Sequence, residues 1–102
     1  MNSVNKSIKN PIILLGGFLI TSEAYYPAKN ILETIYGRKV YVVDVTRRDW
    51  FQSNSAEGWI NILHKVKDKV DLALKENNAK KIDLIGHSSG GIMLRLYLSS
   101  EP

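Results

Sequence analysis

The chain has no cysteine among its 102 residues. That excludes a disulfide framework, a thiol nucleophile and a cysteine metal site. Its two histidines, His64 and His87, stand apart from any ligand-like spacing. No zinc site, and no metal or cofactor of any kind, is expected. No apolar run reaches the ~18 residues a membrane span needs, so no transmembrane segment is expected. Internal repeats, linkers and low-complexity segments are missing too. Acidic charge is in the minority: 14 Lys and Arg face 10 Asp and Glu, for a net charge of +4. The basic residues are scattered, and Lys65, Lys67 and Lys69 alternate with Asp68 and Asp71. That pattern reads as a solvated face, and no nucleic-acid partner is expected.

What is present suits one small domain, with an apolar fraction of 44%. Residues 1–10 are polar and are expected to form a flexible N-terminus, with the domain over 11–102. Lys6 and Lys9 precede an apolar run from Ile12 to Ile20, and Ser22-Glu23-Ala24 follows. That is the layout of a secretory signal. Pro11 and Gly16-Gly17 interrupt the run, however, and it is needed as a strand. A cytoplasmic location is the resulting expectation.

Ile12-Ile13-Leu14-Leu15 is continuously apolar, as befits a strand covered on both faces. A loop at Gly16-Gly17-Phe18-Leu19 follows it. Ala28, Ile31, Leu32 and Ile35 then repeat at helical spacing, with Pro27 near the start and Gly37 past the end. Val40-Tyr41-Val42-Val43 is a second β-branched strand, and Asp44 to Trp50 reads as a charged loop. Asn54 with Glu57 signals a helix start. Trp59, Leu63, Val66, Val70, Ala73 and Leu74 form its apolar stripe, and Asn77-Asn78 ends it. Lys81 to Ile85 is the third strand and Gly90 to Ser99 the third helix. Alternation of this kind specifies an α/β fold with a parallel sheet and helices on both faces, a three-layer α/β/α arrangement. In such sheets ligands bind beyond the carboxyl ends of the strands. Gly16-Gly17, Asp44 to Trp50 and Ser88 all fall at that edge.

The third strand runs into Gly86-His87-Ser88-Ser89-Gly90, of the form G-x-S-x-G, and an apolar helix follows. A serine on a sharp strand-to-helix turn is the context of a nucleophile elbow. Side chains two residues to either side of it would collide, so Gly86 and Gly90 keep those positions empty. Ser88 is therefore the candidate nucleophile, expected to stand exposed and outside regular helix. Acyl transfer also needs donors for the oxyanion. The backbone N–H of Ser89, at the helix start, is one candidate. A second is expected from the loop after the first strand, at Phe18 N–H with Leu19 as the alternative.

The segment Leu84-Ile85-Gly86-His87-Ser88-Ser89-Gly90-Gly91 resembles the elbow of α/β-hydrolase-fold serine esterases and lipases. The nearest groups are the inositol-deacylase-like and triacylglycerol-lipase-like branches. There an apolar strand ending in Gly-Phe supplies the oxyanion loop, as Leu14-Leu15-Gly16-Gly17-Phe18 could here. Many members carry histidine where this chain has Gly16. The resemblance spans roughly residues 11–100. It implies a partial α/β-hydrolase fold with strand order 2-1-3, and a carboxylic-ester or lipid substrate. It also implies attack by Ser88 to form an acyl-enzyme.

The family's triad runs serine, acid, histidine along the chain. The fourteen residues after Ser88 hold one acid, Glu101, and no histidine. The expectation is the N-terminal part of a hydrolase, inactive alone unless a second chain completes it. His87 is next to Ser88, but adjacent side chains on this turn diverge. His64 is read as a boundary or core residue, and Asp49 with Arg47 and Arg48 as a loop-ordering charge cluster. The strands Val40 to Val43 and Ile82 to Ile85 would be bare edges, and edges of that kind invite association. A non-catalytic module pairing through those edges is the alternative function. A nucleotide binder is disfavoured, because neither G-x-G-x-x-G nor a lysine-bearing phosphate loop is present.

Overall fold

The computed structural model describes residues 10–100. The flexible segment expected over 1–10 lies, except for Asn10, outside the described residues, as does Glu101. The elements in order are β1 (Ile12–Leu15), a 3₁₀ turn (Ser22–Tyr25), α1 (Tyr26–Tyr36), β2 (Val40–Val42), α2 (Arg47–Phe51), a second 3₁₀ turn (Gln52–Asn54), α3 (Ala56–Glu76), β3 (Asp83–Gly86) and α4 (Ser89–Ser100). The strands form one parallel sheet in the order β2-β1-β3. The class is α/β, with the expected strand order.

β1 is the centre of the sheet, and all four of its residues are buried. Alternation along the strand divides them between two clusters. Ile13 and Leu15 join Val43, Val45 and Trp50, Ile62, Val66, Val70 and Ala73 of α3, and Met93, Leu94 and Tyr97 of α4. Ile12 and Leu14 join Val40 and Val42, with Tyr25 and Leu32 packed against them. The unbroken apolarity of this strand follows from burial on both faces.

Gly37 ends α1 in a left-handed conformation, φ 62°, and its N–H donates to Glu33 O. A helix, α2, begins at Arg47 where the sequence suggested a loop. Thr46 Oγ1 accepts the Asp49 N–H at 3.1 Å, and Asp49 Oδ2 accepts the Thr46 N–H at 2.9 Å. This capping box offsets the small number of hydrogen bonds a five-residue helix makes. α3 starts one residue later than the Asn54 signal, because Ser55 is its cap and accepts the Gly58 N–H. Its buried line is Ile62, Val66, Val70 and Ala73, while Trp59, Leu63 and Leu74 flank it half-buried. The stripe is therefore centred slightly to one side of the expected set.

His64 is exposed on α3, not at the core boundary, since the stripe turns the other way. Asp49 pairs with Lys65 at 2.5 Å instead of clustering with Arg47 and Arg48, which are exposed. One of the two outer edges also differs from expectation. Val40 N–H, on the side of β2 away from β1, is taken by Glu33 Oε2 at 2.9 Å. That bond, followed by the Lys29 ion pair, holds the Glu33 carboxyl below its usual range. Across the sheet, Arg38 bonds Asp83 of β3 and donates from Nε to Asn10 O at 2.5 Å. β3 pairs only with β1 among the described residues, and Ile85 is exposed.

Candidate active site

Ser88 is exposed, in the turn between β3 and α4, with φ 58°. A non-glycine residue rarely adopts this backbone, and it costs about 1–2 kcal/mol. The close approach of α4 to β1 enforces it. A Cβ at Gly90 would strike the carbonyls of Leu15 and Gly16, and one at Gly86 would strike the Gly91 backbone. Both glycines thus have the steric role read from the motif.

The turn is tied at both ends. His87 N–H donates to Leu15 O at 3.0 Å, extending the β1–β3 ladder by one bond. Gly90 N–H donates to His87 O and Gly91 N–H to Ser88 O, each at 3.0 Å, which opens the helix. Ser89 N–H has no backbone acceptor among the described residues. It is an orphan donor at a helix N-terminus, suited to negative charge.

The loop after β1 approaches this turn closely. A Cβ at Gly17 would lie 3.4 Å from both Ser88 Cβ and His87 O. Gly17 to Ile20 forms a tight turn, closed by Ile20 N–H donating to Gly17 O at 3.1 Å. Leu19 carries it with φ 64°, the same left-handed backbone as Ser88. Gly17 N–H is already occupied, donating to Tyr25 Oη at 2.9 Å. Phe18 and Leu19 N–H have no backbone acceptor among the described residues. Both alternatives therefore remain able to donate.

Phe18 and Ser89 line one cleft of about 170 Å³ with Trp50, Ser53, Trp59, Ile92 and Met93. The Phe18 ring meets Trp50 edge-on, with centroids 5.9 Å apart. The walls are mainly aromatic and aliphatic, suited to an apolar group. A larger cleft of about 250 Å³ lies along Asp44, Lys65, Asp68, Lys69 and Leu72. There Lys69 pairs with Asp44, and Lys65 with Asp49, so most of its charge is internally matched.

Among the described residues, no side chain able to act as a base is bonded to the serine. Ser88 Oγ has no hydrogen-bond partner among the described residues. His87 turns its Nδ1 toward Tyr25 Oη at 3.0 Å. Asp49, the one buried carboxylate among the described residues, has both oxygens occupied by Lys65, Asn61 and Thr46 N–H. Tyr25 and Trp50 are site residues that the motif did not reveal. Tyr25 lies eight residues from Gly17 and sixty-two from His87, separations at which no local pattern signals contact. Among the described residues, no helix is long and apolar enough to cross a membrane. No protein-family model matches the chain. No solved structure matches it.

Proposed function

We propose that this chain carries the nucleophile and oxyanion donors of a serine hydrolase acting on carboxylic esters or lipid acyl groups. The observation that carries the proposal is the backbone of Ser88: exposed, left-handed, and poised between a strand and a helix N-terminus. Free amides beside it and an apolar cleft support the same reading. Two clusters on opposite sides of β1 support a three-layer arrangement and a partial α/β-hydrolase fold.

In the proposed reaction Ser88 Oγ attacks the ester carbonyl carbon. The oxyanion is held by Ser89 N–H and Phe18 N–H. The C–O bond to the alcohol breaks, the alcohol leaves with a proton, and an acyl-enzyme remains. Water then releases the acid. The serine proton needs an acceptor, which in this family type is a histidine oriented by an acid. A second polypeptide segment has to bring both.

A fluorophosphonate probe tests this, with imidazole added as the proton acceptor. The Ser88 Oγ–P bond forms, the P–F bond breaks, fluoride leaves and imidazole takes the proton. Peptide mapping is expected to place the adduct on Ser88 and to find none there in Ser88→Ala. Modification spread over other residues, with Ser88 untouched, overturns the reading.

The open side of β3, with Ile85, Ile92, Leu96 and Leu98 exposed near it in sequence, favours a second reading as a pairing module. A monodisperse monomer by light scattering at about 100 μM, well above many weak dimer constants, counts against it.

A further inference from the structure

Tyr25 contacts the loop and the elbow with one oxygen. Its Oη accepts the Gly17 N–H at 2.9 Å and lies 3.0 Å from His87 Nδ1. Its ring fills the space beside position 16, where a Cβ would come within 2.6 Å of Cζ and 2.8 Å of Oη. This explains why glycine stands at position 16: the phenol takes the room that a side chain there would need.

We infer that the Tyr25 hydroxyl is a positioning residue that locks the oxyanion loop against the nucleophile turn, so that Phe18 N–H is presented already aligned. The inference rests on the serine hydrolase reading above. A peptide plane is rigid, so fixing one end of it aims the other. Tyr25 holds Gly17 N–H, and Ile20 N–H holds Gly17 C=O at 3.1 Å. The planes on both sides of the Gly17 Cα are therefore pinned. The C=O of Gly17 and the N–H of Phe18 belong to the same plane and point in opposite directions. With the carbonyl turned to Ile20, the Phe18 N–H is directed away from that turn. On the other side, His87 is fixed through its backbone to Leu15 and Gly90, so its ring is a firm anchor for the phenol. The Oη, which accepts the Gly17 N–H, has its own proton to offer Nδ1 in the imidazole tautomer whose hydrogen is on Nε2. Preorganised donors act without reorganisation during the reaction, which is where their rate advantage lies.

The test compares wild type, Tyr25→Phe, His87→Asn and His87→Leu in the full chain, with the fluorophosphonate probe and imidazole. Tyr25→Phe is expected to lower the saturating rate of Ser88 labelling about tenfold or more, with half-saturation changed less than about threefold. The Gly17 amide proton is expected to move upfield as its acceptor is lost. His87→Asn keeps an acceptor near the Nδ1 position and is expected to label faster than His87→Leu. A folded Tyr25→Phe that labels within about twofold of wild type overturns the inference. If Tyr25→Phe does not fold, the two His87 variants decide, and equal rates overturn it. If wild type itself is not labelled at Ser88, the hydrolase reading fails, and with it the positioning role of Tyr25. The Gly17 amide shift then still reports on the tether alone.

Discussion

Asp49 of α2 and Lys65 of α3 meet at 2.5 Å, with the carboxylate nearly buried. Burial pushes the Asp49 carboxyl up, but the bonds from Lys65, Thr46 and Asn61 outweigh it and hold it down, from 3.8 to about 2. A depressed carboxyl contributes stability above its unfolded value and loses it as pH falls through its folded one. The pair is thus expected to contribute about 2 kcal/mol near neutrality. Asp49→Asn should lose that near pH 7, and its deficit against wild type should close between about pH 4 and pH 2. Urea titrations across that range check it, and a deficit independent of pH contradicts it.

Gly90 and Gly91 are neighbours with opposite tolerances. A Cβ at Gly90 has carbonyls in its way, whereas one at Gly91 meets nothing closer than Gly86 O at 3.7 Å. Gly90→Ala is expected to destabilise by about 1–3 kcal/mol or more. Gly91→Ala, inside α4, is expected to be neutral or to stabilise by up to about 1 kcal/mol. Thermal melts of the two variants check this, and the reverse order would show that α4 approaches β1 differently.

Ser88→Gly removes the side chain from a left-handed position. It is expected to raise stability by about 1 kcal/mol and to abolish labelling by the fluorophosphonate. Ser88→Val, which keeps a branched side chain at φ 58°, should lower stability instead. Denaturation midpoints decide. Equal effects of the two substitutions would mean that the turn holds no strain.

Turnover of a short activated ester by this chain without added imidazole is expected to be negligible, since Ser88 Oγ lacks a base among the described residues. A stopped assay with Ser88→Ala as control measures it. Rapid hydrolysis abolished by that substitution would locate a base that the geometry does not reveal.

The parts legible in the sequence are those set by short-range sterics and by pattern. Ile12 to Leu15 announces a central strand because every residue is apolar. Gly86 and Gly90 announce a cramped turn because each is needed two residues from Ser88. α2 is not legible because five residues are too few for a period, although Thr46 and Asp49 stand at capping-box spacing. The sequence points Asp49 to Arg47 and Arg48 because they are close along the chain, whereas its partner Lys65 reaches it from sixteen residues away. Tyr25 is not legible for the same reason. Its role depends on the loop after β1 and the turn after β3 meeting at one end of the sheet.

The Glu33 carboxylate on the Val40 amide gives the sheet a direction of growth. A newcomer strand on that flank would have to evict a charged plug before its first bond could form. On the opposite flank, along β3, the described residues offer no such obstacle. Of the two outer strands, the one left without such a charge among the described residues is the one that carries Ser88 just beyond its end.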